Sequence, residues 1–571
     1  MNSDNRNLLI AMVLSIAVLF GWSAFSPDPV VPTASEPSTE FVDGEQVVVK
    51  DGNEGPLGAA APTVIRERAE VLAESRRVPI ETPALSGTIN LSGARLDDLR
   101  LLRHHESLDG EADIRLFSPS GAPDSYFAEF GWTGQGDLPD ASTQWTADGE
   151  RLTPETPLTL AWTNDVGVRF LIELSVDEDY LFTARQRIEN RGDQAVVARP
   201  YGLVARDGTG PDESTFNAHI GPIGVFDGEF ADVEYEDIVD EGGRVDNSST
   251  GGWLGFTDKY WLTAIIDEPN APVRTNFRAS GDRYQATMQG EPMAVGPGTA
   301  AGDTFRLFAG AKEVEVLDRY ENQVGIPLLE RSVDWGWFRI IVKPIHALLT
   351  WLFAFAGNYG VAIILLVLII RIVLFPIANK QFESMAKLRR IQPKMKAMQE
   401  RYKDDKPKLQ QEMMKLYKEE KANPIGGCLP VLLQIPIFYA LYKTLLLSIE
   451  VRHQPFALWI KDLSAPDPLT PVNLFGFLPF DPPGFMAIGV LPILLGITMF
   501  IQFKLNPAPM DEMQKKVFSI LPWVFMVIMA PFAAGLQLYW MVNNIFSIAQ
   551  QWYLIKKFPA DPAPDAAKPA K

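Results

Sequence analysis

Three apolar patterns follow one another along the chain, and each predicts a different element. Residues 8–25 form an uncharged run after Met1-Asn-Ser-Asp-Asn-Arg-Asn7. It is long for the apolar core of a signal peptide, and Gly21-Trp22-Ser23-Ala24-Phe25 offers no convincing small-residue cleavage site. It predicts an uncleaved anchor, residues 1–26, crossing a bilayer once. Residues 27–62 are rich in Pro, Ser, Gly, Ala and acids, a composition that predicts a flexible linker. From 63 to 331 the pattern changes to short runs mixing β-branched and aromatic residues with polar ones, as at 166–176 and 180–188, bounded by Asp, Gly and Asn. Similar runs at 88–91, 261–266, 283–288 and 304–308 predict a large all-β sandwich.

Residues 335–352 set Trp335, Trp337, Phe338 and Trp351 beside Arg339, Lys343 and His346, the pattern of a helix lying in the headgroup plane (332–356). Five apolar runs follow, at 359–375, 425–449, 486–503, 517–532 and 536–555. As one helix the last two would be about twice the length a bilayer needs, so a break is expected at Ala533-Ala534-Gly535, near Pro531. The expected segments are spans at 357–378, 425–449, 486–505, 515–532 and 535–555. A helical hairpin at 379–424, loops at 450–485 and 506–514, and a tail at 556–571 join and end them. With the anchor, this is a six-span helical membrane protein carrying an all-β domain.

Charge orients the spans. The net charge of −19 hides an acidic half between residues 27 and 337, with 55 acids against 25 bases, and a basic remainder of 16 against 27. Residues 376–424 hold 13 Lys and Arg against seven acids; Lys504, Lys515, Lys516 and the lysines of the tail lie on the same predicted side. The excess of positive charge marks that side as cytoplasmic. Both termini are then inside and the β domain outside. The acidic half is no nucleic-acid binder on charge grounds. One cysteine, Cys428, excludes an intramolecular disulfide framework, and five scattered histidines show no metal-ligand spacing. Phosphate loops and nucleophile elbows are missing. No cofactor, metal or catalysis is expected; the β domain reads as a spacer, scaffold or binding module rather than an enzyme.

In the basic segment Leu388, Ile391, Met395, Met398 and Tyr402 step by 3, 4, 3 and 4, and Leu409, Met413 and Leu416 continue after Asp404-Asp405-Lys406-Pro407. That predicts an antiparallel helical hairpin, its first arm bent by Pro393. Its charged face is a solvated surface, whereas Met385, Met395, Met398, Met413 and Met414 suit contact with variable apolar partners.

Arg371 is the informative exception within the apolar runs. An arginine at the centre of a spanning helix costs roughly 2.5–3.5 kcal/mol even on the lenient scale. It is kept if it snorkels, pairs or faces water. Snorkelling is within reach, since Phe375 lies about 6 Å along the axis. Yet the other intramembrane polar residues (Gln434, Lys443, Gln502, Gln537, Asn543 and Asn544) include no carboxylate. A cation without a counter-acid favours a hydrated cavity receiving an anionic partner from outside the chain. A secondary transporter or flippase for an anionic solute is the competing class, and an anchored periplasmic binding module a third. Neither needs an adaptable methionine-rich surface.

Several runs then resemble one family: Arg371-Ile-Val-Leu-Phe-Pro376, Gln381-Phe-Glu-Ser-Met-Ala-Lys387, Gln392-Pro-Lys394, Gln411-Glu-Met-Met414, and Asn423-Pro-Ile-Gly-Gly-Cys428 continuing through Gln434 to Tyr442. Pro455-Phe-Ala-Leu-Trp459 and Leu538-Tyr-Trp-Met-Val-Asn-Asn544 add to the match. Together they resemble the YidC/Oxa membrane protein insertases, and the anchor with its large outer domain resembles the Gram-negative form. The resemblance implies insertion, folding and assembly of nascent inner-membrane proteins, alone or beside the Sec translocon and its accessory subunits. It implies ribosome contact through the cytoplasmic loops and tail, and contact with membrane lipids. It also implies a groove open to the cytoplasm and lipid, carrying Arg371, Gln434, Gln537, Tyr539, Trp540 and Asn544, with the hairpin methionines meeting substrate or ribosome. The outer domain would be a β-supersandwich of the galactose-mutarotase type. Val367 and Trp540 stand where some relatives carry hydroxyls, and the apolar stretch 473–484 has no reading.

Overall fold

The computed structural model describes residues 65–558 apart from 109, 111, 213–217, 270, 403–404, 421–428, 476, 479, 481–486 and 506–511, and adds a hairpin pairing Glu40–Val42 with Glu45–Val47. The expected anchor 1–26, Cys428, nearly all of the tail and the side chain of Met385 lie outside the described residues. The small hairpin falls within the expected linker. The chain divides into two compact units, Met1–His105 with Asp113–Ser332, and Glu106–Ala112 with Val333–Lys571.

The first unit is built on two antiparallel sheets of nine and ten strands. In the nine-stranded sheet, Leu181–Asn190 lies between Val168–Val176 and Ala300–Ala311. Along Val168–Val176 buried and half-buried residues alternate without a break, with Phe170, Ile172 and Leu174 turned into the core. A strand has a side-chain period of two, so that alternation fixes which face is buried. Trp253–Thr257 is buried at every position. The Gln186 amide on Leu181–Asn190 donates to the carbonyl of Gly131 at 2.6 Å, tying the sheet to strand Tyr126–Gly134 of the other. This is the expected β-sandwich.

Asp267 closes strand Trp261–Ile266 and is almost wholly buried, with its Oδ1 unpartnered among the described residues. Burial first, then the neighbouring charges of Asp303 and Glu268, push its carboxyl up to about 7. The folded state therefore holds a proton that the unfolded chain releases near pH 3.9. The stabilisation is complete below that pH and is lost as pH rises through 7. Asp267→Asn, which cannot ionise, is expected to melt with the parent near pH 4 and progressively above it towards pH 8. A melting difference that does not change with pH would refute this.

The second unit is helical, with seven helices among the described residues: α1 Arg339–Ala356, α2 Tyr359–Arg401, α3 Lys406–Glu419, α4 Leu429–Leu447, α5 Val490–Leu505, α6 Glu512–Met529 and α7 Ala534–Lys557. Gly357, at φ 67°, ends α1 in the left-handed region that glycine tolerates, and the Asn358 side chain caps α2 by accepting from Val361 N at 3.0 Å. α1 buries Val342, His346, Leu349 and Leu352 and leaves Ile340, Trp351 and Phe355 exposed. α2 runs unbroken for 43 residues through Pro376 and Pro393, so the first arm of the hairpin is the continuation of the arginine-bearing helix. By length and composition α1 and the segment Tyr359–Ser384 could each cross a membrane; Val490–Leu505 and Lys516–Met529 are shorter apolar helices. Leu349, Leu366, Leu441, Leu495 and Leu538 belong to one core drawn from α1, α2, α4, α5 and α7. Helix α6 exposes Val517, Ile520, Val524, Val527 and Ile528.

Candidate functional site

The site begins with what lies opposite Arg371. Helix α2 exposes Ile372 and Val373 and buries Val367, one turn earlier, in the core. The guanidinium turns to α7. Its Nη2 donates to Asn543 Oδ1 at 2.6 Å and to Ser547 Oγ at 2.5 Å, and its Nε donates to Asn543 Oδ1 at 3.1 Å. Nη1 donates to Gln550 Oε1 at 3.3 Å. All of these partners are neutral. They orient the cation without cancelling its charge, and no carboxylate reaches it among the described residues. Lys443 on α4 is different: its Nζ lies 2.8 Å from Asp334 Oδ2, and it is 1% exposed.

Tyr539, Asn543, Ser547 and Gln550 are spaced 4, 4 and 3 along α7, which places them on one helical face. From first to last that stripe covers about 16 Å, roughly half of a 30 Å hydrocarbon layer. At its upper end Gln434 on α4 donates to the hydroxyl of Tyr539. The stripe thus joins α2 and α4 through polar contacts on α7.

The remaining expected residues fall elsewhere. Trp540 is half-buried between Phe438, at a ring distance of 5.0 Å, and Phe525, at 4.6 Å. Asn544 turns to α5 and donates to Thr498 Oγ1 at 3.2 Å. Gln537 is fully buried, and its amide nitrogen donates to the carbonyls of Met529, Ala530 and Phe532 at 3.0, 3.2 and 2.7 Å. It closes the break between α6 and α7, where helical carbonyls lack their ordinary partners. In the hairpin, Met395 and Met398 pack on Ile391, Leu416 and Tyr417, between its own two arms. Met413 is half-buried and Met414 exposed.

Ser547 and Gln550 do not stand out in the sequence, because a single serine or glutamine in a helix is unremarkable. Their spacing from Tyr539 and Asn543 is the signal that would have found them.

Comparison with known proteins bears on the whole chain. Residues 77–348 match a family model described as the YidC periplasmic domain, and residues 351–561 match one described as 60Kd inner membrane protein. A membrane protein insertase YidC from Zymomonas mobilis is 46% identical over 96% of this chain and 95% of its own. One from Sinorhizobium fredii is 43% identical over 98% and 96%. A crystal structure of an active YidC insertase with its first transmembrane domain resolved aligns at 17% identity and a TM-score of 0.36, covering 86% of this chain and 94% of that one. A galactose mutarotase related enzyme from Lactobacillus acidophilus aligns at 9% identity and 0.30, covering 41% of this chain and 97% of its own.

Proposed function

The chain belongs to the YidC family of membrane protein insertases, and we propose that its insertion step runs through the polar stripe on α7, with Arg371 as the attracting charge. The protein is an insertase of nascent inner-membrane proteins with a periplasmic domain, and it is not an enzyme. The observation that supports the stripe is the Arg371 guanidinium, oriented by Asn543, Ser547 and Gln550 but left with its full charge.

Moving a polar tail through a full hydrocarbon layer of about 30 Å is prohibitive. A groove polar over half that depth shortens the path. Arg371 attracts acidic residues of the tail, Gln434 and Tyr539 offer hydrogen bonds higher up, and Trp540 and Asn544 lie on adjoining faces of α7. Gln537 holds the turn above them. The substrate helix then leaves sideways into lipid by its own hydrophobicity. The membrane potential adds about 2.3 kcal/mol per charge per 100 mV. Met414, and Met413 beside it, give the hairpin an apolar contact for arriving chains, while the basic loops and tail suit a ribosome and the outer surfaces a Sec translocon. The test is insertion of one model substrate, its tail acids present or neutralised, in the parent and in Arg371→Ala.

The same reading takes the chain as six spans with both termini cytoplasmic and the domain boundaries given above. A reporter fused near Asp405 is then expected in the cytoplasm and one near Asp467 in the periplasm. The opposite labelling at either position would exclude the six-span arrangement.

A further inference from the structure

The stretch that joins α4 to α5 carries an apolar surface to which the proposed insertion step assigns no role. Val472, Leu474, Phe475, Phe477, Leu478 and Phe480 are all exposed, Phe477 to 86%. The sequence from Pro468 to Phe480 contains no charged residue.

This surface stands on a fixed base. The Asp467 carboxylate is buried; its Oδ1 accepts from Trp459 Nε1 at 2.9 Å and from Leu469 N at 3.0 Å, and its Oδ2 accepts from Leu491 N at 2.7 Å, in the first turn of α5. A Cβ on Gly489 would lie 2.7 Å from the Asp467 side chain, so the glycine lets the carboxylate reach the helix. Above the base, the loop pairs its own backbone: Leu474 N donates to Pro471 O, Phe475 N to Thr470 O, Leu478 N to Asn473 O and Phe480 N to Leu478 O, at 2.9–3.1 Å. Leu474 and Phe475 hold φ of 52° and 60°, a region bulky residues seldom occupy. Among the described residues, these hydrogen bonds hold the segment while its aromatic side chains stay exposed.

We propose that this loop inserts its apolar side chains into the bilayer leaflet beside it, as an anchor fixing the depth of α5. Three observations favour phospholipid as the occupant. The loop connects two helices of the membrane unit, so it emerges at the bilayer surface. Helix α5, which follows the loop, also exposes Leu494, Ile497 and Ile501, which face lipid in the proposed arrangement. The amides of Val472, Leu474, Phe475, Phe477, Leu478 and Phe480 donate within the loop, which lowers the cost of bringing backbone to a layer that offers no hydrogen bonds. Exposed phenylalanines and leucines without charge partition to that layer. The inference rests on reading α4 and α5 as membrane spans and goes beyond the insertion mechanism itself.

The test uses the full chain with its one native cysteine removed (Cys428→Ser) and a single environment-sensitive fluorophore attached through Phe477→Cys, Ile497→Cys or Glu150→Cys. The chain is reconstituted in phosphatidylcholine and phosphatidylglycerol vesicles containing a doxyl-labelled phosphatidylcholine. The label at 477 is expected to be quenched several-fold more by a doxyl group near the headgroups than by aqueous iodide, with blue-shifted emission. The label at 497 should respond to doxyl lipid, and the one at 150 to iodide alone. Iodide quenching at 477 with doxyl quenching retained at 497 would overturn the anchor while leaving the spans intact. Loss of doxyl quenching at 497 would overturn the span reading beneath it. Shielding of 477 from both quenchers would mean that protein, not lipid, covers the loop, and would also overturn the proposal.

Discussion

Arg371→Ala is expected to insert a substrate with an acidic translocated tail about tenfold less efficiently than the parent, a difference of about 1.4 kcal/mol. That lies within the roughly 1–4 kcal/mol that two charges 4 Å apart exchange between bulk water and a near-surface protein environment. The same substrate with its tail acids neutralised should lose much less. Arg371→Lys keeps a cation and should keep much of the activity, although an ammonium cannot reproduce the fork that reaches Asn543 and Gln550 together. A snorkelling arginine predicts the reverse, since alanine would merely lengthen the apolar run and be tolerated. Insertion of both tails at matched protein levels separates the cases. Equal insertion of the acidic tail by alanine variant and parent removes the attraction mechanism; a loss independent of tail charge reassigns Arg371 to holding α2 against α7.

The second large effect is expected in the β domain and should leave insertion alone. Arg206 and Asp258 are both buried, with Nη1 3.0 Å from Oδ1, and the guanidinium lies 5.0 Å from the Tyr126 ring centroid. Gly210, at φ 87°, lies so close that an added Cβ would fall 2.1 Å from Arg206 Nη2, so the chain is wrapped tightly around the pair. Asp258→Ala strands the guanidinium inside the sandwich and is expected to destabilise the domain by about 3–5 kcal/mol. Adding Arg206→Met to that variant should recover most of the loss, because no unmatched charge remains. Protease resistance of residues 65–332 against temperature, in the full chain, measures both. Insertion at matched levels should follow neither variant. If it falls with the stability of the sandwich, the domain takes part in insertion.

The period-two strands were legible because a sandwich face buries every second residue, as in Val168–Val176. Trp253–Thr257 escaped that test because it is buried at every position, which leaves no alternation to see. The break before α7 could be anticipated from Pro531 and the small residues after it, and Arg371 from its position alone. The cradle could be seen only in part: Asn543 stood out as a polar residue in an apolar run, whereas Ser547 and Gln550 show only through their helical spacing from Tyr539 and Asn543, and their partner only once α7 is known to face α2. Gln537 shows the opposite failure. A buried amide satisfying backbone carbonyls and one lining a groove are the same residue in a sequence. The hairpin methionines blur in the same way, since a stripe at helical spacing fits the partner arm as well as any client; Met395 and Met398 are taken by the arm and Met414 is not.

The continuity of α2 makes it a lever. Thirty residues of unbroken helix separate Arg371 from Arg401 at the hairpin end, about 45 Å of rod. A tilt of about five degrees moves the far end by about 4 Å over that length. Displacement at the hairpin end is thereby geared down to a small rotation at the guanidinium. If arriving chains dock on the hairpin as proposed, they would reorient the half-buried guanidinium without touching it.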